Sequence, residues 1–484
     1  MDLDDYRAEA EEFISTLDRE YLLHFSGRKE DFDLDPIYER HAPLFEPSAV
    51  DGLREAGAPR ELVRFAAEGH VGLAISSEVS ELARLEATAV VEIDGETMPF
   101  RQAAVVQADE PDPDRRAAIE AARLSVTAET LHPVLIQTHE HSAEVVRALG
   151  FASTVAFCEQ LGGLDLAALG AQAESFLETT EDLYEPLLAP ELERQLGIRM
   201  GDLRRSDIAA FVRAPKLDPV FPTDIAVESL ERTLAGLGVE RGAVDIDAES
   251  RPTKSPRAFC AAVRVPDEVH LVFPAVGGRG DFDALFHEAG HAWHYANVDR
   301  TLPVEARYLG DNSVTEGFAF LLQHLLADAG WLGRMLGVDD SGPLIAFARA
   351  DRILFLRRYC AKLLYELELH GGGGLTHDAA ARRYSDRLST AVRVEWPRET
   401  WLADVDAFFY AARYLRAWAF ESRLRRHLQE RFGPAWFAEA DAGAELRSLW
   451  SRGQAQDADA LLEEASGERI DLAALLADLR PPAR

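Results

Sequence analysis

The chain has 484 residues, and its 51 Lys+Arg against 84 Asp+Glu leave a formal net charge of −33. That balance excludes nucleic acid and an anionic membrane surface as partners, because both need basic surface to bind. A hydrophobic content of 47% excludes global disorder and supplies a large core.

Only four of the cations are Lys: Lys29, Lys216, Lys254 and Lys362. The three cysteines, Cys158, Cys260 and Cys360, are far apart and form no CxxC pair, so a disulfide framework is not expected and a reducing compartment is. The N-terminal MDLDDYRAEAEEF is acidic and amphipathic, without the basic and apolar regions of a signal peptide. No apolar run reaches membrane-spanning length. The expected location is cytoplasmic.

In chain order, Tyr6–Phe25 carries apolar residues at helical spacing, and Gly27 follows as a stop signal. Similar amphipathic stretches recur near 47–67, 115–131, 142–161, 166–187 and 225–238. Strand signals are few. Ala89–Ile93 and Met98–Val105 flank Asp94-Gly95, a hairpin turn. A second β region runs through Phe259–Val265, a Pro266-Asp267 turn and Val269–Phe273. From 313 onward the pattern is helical, broken once by Gly371–Gly374. The expected fold is mostly α with a small β-sheet near the middle. Two domains are expected: a helical N-terminal one over 1–200 that contains the hairpin, and a second over 201–484.

Residues 285–294 read LFHEAGHAWH. His287, Glu288 and His291 form HExxH. Residues four apart on a helix differ by about 40° and one turn of rise, so both imidazoles point the same way. Two His nitrogens so placed can bind one Zn²⁺, and the intervening Glu288 can reach the open position as general base. By composition alone, accidental HExxH matches are expected at roughly 0.07 per chain. Glu316 lies 25 residues after His291 and opens another apolar helix. It either completes a three-ligand site or caps its helix over a satisfied buried His pair.

HExGHxxH with a Glu about 25 residues on resembles the thimet oligopeptidase / oligoendopeptidase F family of zinc metallopeptidases. Lys254–Cys260 followed by Val269–Phe273, the hairpin around Asp94-Gly95 with Arg115-Arg116, Tyr365–His370 with the Gly371–Gly374 loop, and Phe409-Tyr410 with Tyr414 also have counterparts there. The resemblance implies a zincin-like molecule, a deep central channel between two helical halves, short unstructured peptides as substrates, and one zinc per chain. It implies His287, His291 and Glu316 as ligands and Glu288 as base, with 201–484 the zinc-binding catalytic domain.

That family's catalytic tyrosines lie in FYxYxYA, preceded by a His. Tyr410 and Tyr414 match the outer tyrosines and imply oxyanion donors, but Ala412 stands at the middle one. No His occurs between His377 and His427; Asp404 and Asp406 stand in that neighbourhood, and Arg413 or Arg416 is the candidate replacement. The alternative for both tyrosines is a packed aromatic face. His294 is a substrate or supporting contact, or a core His. The strand with Val269 and Leu271 is expected at the sheet edge beside the metal helix, where an extended peptide could pair with it. Gly277–Gly280 either admits substrate backbone or is an ordinary loop, and Gly371–Gly374 is a lid or a surface turn. His139-Glu140-His141 is expected as a solvated helix start. Glu305 or Asp311 is the candidate carboxylate for orienting the ligands.

Two other functions share these features. One is a carboxypeptidase or dipeptidyl-carboxypeptidase, which needs a cation for the substrate C-terminus, with Arg279, Arg307 and Arg413 as candidates. The other is a catalytically weak zinc-containing peptide-binding protein, suggested by the eroded tyrosine helix; an intact Glu288 argues against it.

Overall fold

The structure, a computed structural model, describes residues 2–480. The elements that matter below are, in chain order, α1 (Leu3–Phe25), β1 (Val90–Ile93), β2 (Glu96–Pro99), α2 (Phe100–Asp109), α3 (His132–Ala148), β3 (Val244–Asp247), β4 (Phe259–Arg264), β5 (Glu268–Val272), α4 (Arg279–Ala296), α5 (Asn312–Gln323), α6 (Gly342–His370), α7 (Tyr410–Phe432) and α8 (Ala458–Ser466). Helices dominate, as the sequence periodicity predicts. Among the described residues no helix is long and apolar enough to cross a membrane.

The chain forms two compact units, each assembled from separate segments. The first contains the residues up to Ala66, Leu217–Ile345 and those from Arg413 onward; the second contains Ala67–Lys216 and Ala346–Ala412. These units do not follow the expected division at residue 200. The reason lies in α1, whose apolar face covers the central sheet. Leu22 packs on Ala261, Val263 and Val272, and the Phe25 ring meets Phe259 at 6.3 Å. Arg7 to Glu305 (2.6 Å) and Arg307 to Glu11 (2.6 Å) fasten the same helix. The first helix thus belongs with residues about 250 positions away.

Helix α1 starts and stops by local chemistry. The Asp2 carboxylate accepts the Asp5 N–H at 2.8 Å, and Gly27 (φ +73°) turns the chain away where a Cβ would lie 2.8 Å from the Lys254 nitrogen. In the second unit, Asp94 (φ 56°) and Gly95 (φ 80°) form the tight hairpin turn that Asp-Gly favours. The strand predicted over Met98–Val105 ends at Pro99, however, and Phe100 opens α2. Ala103 and Val106 repeat at helical spacing and pack on Val91, Ile93 and Ile119, while Val105 points to solvent.

The central sheet has the order β3-β5-β4, with β5 parallel to β3 and antiparallel to β4. Strand β5 is therefore central, not the predicted edge. Val269 and Leu271 are wholly buried; Leu271 pairs with Ile246 on one side and Cys260 on the other, and Val269 pairs with Val244 beside an irregularity in the β4–β5 ladder. The short strand β3, missed in the sequence, takes one side.

Helices α4 and α5 pack against each other, and α4 packs against this sheet. On α4, Phe282, Leu285, Phe286, Ala289, Ala292 and Trp293 are buried; on α5, Val314, Phe318, Ala319, Leu321 and Leu322 are. Each large side chain so buried contributes about 1.5–3 kcal/mol. The helices cross at Gly290, where a Cβ would lie 2.3 Å from the Ala319 Cα and 2.5 Å from the Phe318 carbonyl oxygen. Gly290→Ala should therefore lower stability by about 1–3 kcal/mol despite the better helix propensity of Ala. Urea unfolding measures it, and an unchanged or raised midpoint would contradict the close crossing.

Candidate metal centre

Helix α4 begins on a built turn. Gly278 (φ +87°) leaves no room for a Cβ, which would fall 2.2 Å from Asp218 Oδ1. Asp281 Oδ2 accepts the N–H groups of Val276 (2.8 Å) and Gly277 (2.5 Å), and Asp218 Oδ1 accepts that of Arg279 (3.2 Å). Gly277–Gly280 is thus stapled by carboxylates at a helix start rather than left as an open loop. Two turns beyond Gly280, His287 and His291 lie on one face of the helix, with ring centroids 5.0 Å apart.

Glu316 comes from α5. Its Oε2 lies 3.3 Å from His287 Nε2 and 3.6 Å from His291 Nε2, and donor atoms of the three residues all lie within 4.8 Å of one another. A tetrahedral zinc with bonds of about 2.1 Å separates its ligand atoms by about 3.4 Å, so the spacing fits that ion. Both Nδ1 atoms are occupied elsewhere. His287 Nδ1 meets Gln323 Oε1 at 3.0 Å, and His291 Nδ1 meets Thr315 Oγ1 at 2.8 Å. With Nδ1–H donated to these oxygens, each Nε2 keeps a lone pair toward Glu316. The helix N-cap is Asp311, whose Oδ1 accepts the Ser313 N–H, so Glu316 does not act as a cap.

Burial pushes the Glu288 carboxyl up to about 7, against the pull of His287 and of the Cys260 N–H, which donates to its Oε2 at 2.9 Å. Burial also lowers His291 to about 4, which favours its neutral form. At His287 burial lowers the pKa, but the hydrogen bond and charge of Glu316 outweigh it and the net shift is upward.

The other predicted site residues are placed as follows. His294 is fully buried, its ring stacked on Tyr295 and tilted against Phe318, with Nε2 3.4 Å from the Gly453 carbonyl; it is a core His rather than a substrate contact. Burial depresses its pKa to about 3. Tyr414 packs 5.9 Å from Phe320, whose ring lies 5.1 Å from His287. Tyr410 opens α7 in the other unit. The segment before it is held in place. Phe408 (φ 49°) and Phe409 (φ 58°) both occupy the left-handed region, stacked on Phe157 (5.4 Å) and set against His370 (5.3 Å). Asp404 accepts from Tyr384 Oη (2.7 Å), Lys362 meets Asp406 (2.8 Å), and Glu366 accepts the Asp406 N–H (3.0 Å). The two aspartates are thus structural anchors of that segment.

Arg413 is buried and pairs with Asp311 at 3.3 Å, so it does not reach out to substrate. Asp311 does not orient a ligand either, and Glu305 is held by Arg7. Sequence reasoning looked for a carboxylate beside the imidazoles and missed Gln323 and Thr315. The available signal was spacing: Gln323 is seven residues, two turns, beyond Glu316 and shares its face. Val269 and Leu271 lie in the central strand. The sheet's outer strand beside α4 is β4, and its Cys260 amide is already committed to Glu288. His139 and His141 lie inside α3, packed on His370 (5.3 Å) and bonded to Glu78 (2.8 Å), not at a solvated start. Gly371–Gly374 is an exposed turn after α6.

The fold has solved counterparts. The chain is similar to a PZ peptidase A solved with an inhibitor, at a TM-score of 0.69 and 17% identity, over 97% of this chain and 90% of that one. It is similar also to a chain assigned as an oligoendopeptidase F from Bacillus anthracis str. Ames, at a TM-score of 0.60 and 13% identity, over 95% of this chain and 83% of that one. The fold is that of these peptidases. No family model and no curated protein matches the sequence.

Asp311 supports the whole site. Its Oδ2 accepts from Arg416 (3.1 Å) and from the Ala458 N–H that starts α8 (3.2 Å), so it joins α5, α7 and α8. Burial disfavours its charge, yet Arg416 and Arg413 outweigh burial and hold its pKa well below the usual carboxylate range. A depressed folded-state pKa gives stability that is present above the unfolded value of about 3.9 and is lost as pH falls below it. Asp311→Asn should cost about 3–5 kcal/mol at pH 7, because it leaves a buried cation uncompensated. The gap to the wild type should narrow in urea titrations carried down through pH 4 to 3, whereas a constant gap would contradict the assignment.

Proposed function

We propose that the chain is a zinc-dependent endopeptidase that hydrolyses short unstructured peptides. The observation that carries this reading is the triangle of His287 Nε2, His291 Nε2 and Glu316 Oε2 at zinc-ligand spacing, with Glu288 on the same helix beside it. Zinc bound there would supply Lewis acidity toward the scissile carbonyl and lower the pKa of a water ligand. Glu288 takes the proton of the attacking water and returns it to the leaving amine. Its second role needs the carboxyl to stay oriented, and the Cys260 N–H on Oε2 does that. Tyr414 and Tyr410 are the candidate donors to the oxyanion.

Internal cleavage is favoured over removal of C-terminal residues. Each cation considered for capturing a substrate carboxylate is engaged: Arg279 with Asp283 (3.1 Å), Arg307 with Glu11 and Arg413 with Asp311. The solved peptidases of the same fold support peptides as the substrate class. The three cysteines, far apart and unpaired into any CxxC motif, suit a reducing compartment, and the proposed setting is cytoplasmic.

Metal analysis of the purified chain, run beside cleavage of a mixed peptide library read by mass spectrometry, tests this function. One zinc per chain and internal cuts are expected. Glu288→Gln should keep the zinc and lose about 10²–10⁴-fold in turnover. His287→Ala and Glu316→Ala should lower the zinc content. Tyr414→Phe and Tyr410→Phe should each lower kcat by about 10²–10³-fold with little change in KM if they donate to the oxyanion. Turnover that survives Glu288→Gln would overturn the mechanism, and cuts confined to the C-terminus would favour the exopeptidase.

A further inference from the structure

We propose that Gln323 is a positioning residue that relays the Asp283 carboxylate to His287, so that the two imidazoles of the site are held by different chemistry. This rests on the reading of His287, His291 and Glu316 as metal ligands.

Arg279, Asp283, His287 and His291 follow one another at intervals of four along α4, forming a single stripe. Arg279 Nη2 meets Asp283 Oδ2 at 3.1 Å, with the two side chains 14% and 21% exposed, so the pair is largely withdrawn from water. Asp283 and His287 are joined through Gln323, which reaches across from α5. The Gln323 carbonyl oxygen accepts from His287 Nδ1 at 3.0 Å, and the side chain of Gln323 hydrogen-bonds Asp283. An amide has one acceptor end and one donor end. With the oxygen used by the imidazole, the NH₂ is the end that serves a carboxylate. The direction of both bonds is then set: Asp283 fixes the amide, the amide fixes the Nδ1–H tautomer, and Nε2 is left to the metal.

Hydrogen bonds in such a chain polarise one another, by about 10–30% per bond. Asp283 therefore raises the ligand basicity of His287 without touching it. His291 has no such chain. Its Nδ1 meets the neutral hydroxyl of Thr315, which also hydrogen-bonds Tyr295. A carboxylate placed directly against His287 would add a negative charge next to Glu316 and Glu288. The interposed amide keeps that charge one residue further away while it retains the orientation.

The test is the zinc dissociation constant of the full-length chain, measured by competition with a chromophoric chelator at one fixed pH, with thermal unfolding of each metal-free variant alongside. Gln323→Leu keeps the volume and removes both bonds; zinc affinity should fall by about 10–100-fold. Asp283→Asn should weaken binding less, since the introduced amide oxygen still accepts from Gln323 but carries no charge. The double variant Asp283→Asn/Gln323→Glu reverses the polarity of the relay: the new carboxylate accepts from His287 and from the new amide. It should return affinity close to the wild-type value. A purely structural glutamine predicts no such rescue. Unchanged affinity in Gln323→Leu, or a double variant no tighter than Asp283→Asn, overturns the relay. If Gln323→Leu does not fold, the comparison of Asp283→Asn with the double variant decides alone. A wild-type chain that binds no zinc overturns the metal reading itself, which is a different result from zinc bound equally by all variants.

Discussion

The site depends on a backbone contact rather than on its polar groups. Gly290 lets α4 and α5 touch main chain to main chain, with the Ala319 Cα in the space a side chain would need. Glu316, less than one turn before Ala319, then falls opposite His287 and His291, which bracket Gly290 on the other helix. Any residue with a Cβ at 290 would push the helices apart and draw the carboxylate out of reach. A second close approach lies at Gly317, where a Cβ would meet the Phe420 ring at 2.3 Å, so there α5 takes a side chain of α7 against its backbone rather than another main chain. The precision of three polar atoms comes from small residues beside apolar ones.

Holding a carboxylate in such a core needs compensation, because an unpaired buried charge is far more costly than a buried methyl group. The first unit solves this twice. Asp311 is balanced by Arg413 and Arg416 and spends its remaining acceptor capacity on two helix N-termini. Glu316 faces two imidazoles. The first arrangement is permanent and structural; the second gathers donor atoms at the spacing of a divalent ion. Placing them on one helix lets the structural cluster set the position of the chemical one.

The legibility of these features in the sequence follows from their range. The helix α1, the Asp94-Gly95 turn and the β4–β5 hairpin rest on contacts a few residues apart, and all were readable. The strand predicted over Met98–Val105 failed at Pro99 because apolar residues on α2 serve two periodicities, and only the packing of Ala103 on Val91 and Ile119 chooses between them. The place of β5 failed for another reason. Whether a strand is central or at an edge depends on β3, a four-residue element with no signal of its own. The roles expected of His294 and Arg413 failed because burial and pairing are decided by distant partners, Gly453 and Asp311.

The sequence alone determined the mostly helical class and the HExxH spacing, because helix geometry converts spacing within one helix directly into direction; it offered Glu316, on another helix, only as a candidate beside that pair. Only the tertiary structure decided what surrounds that triad: the glycine crossing, the neutral oxygens of Gln323 and Thr315 on the two imidazoles, the Cys260 amide on Glu288, and the assembly of each unit from separate segments. Those depend on which surfaces meet. A helix period fixes where a side chain points, and only packing fixes what it meets there.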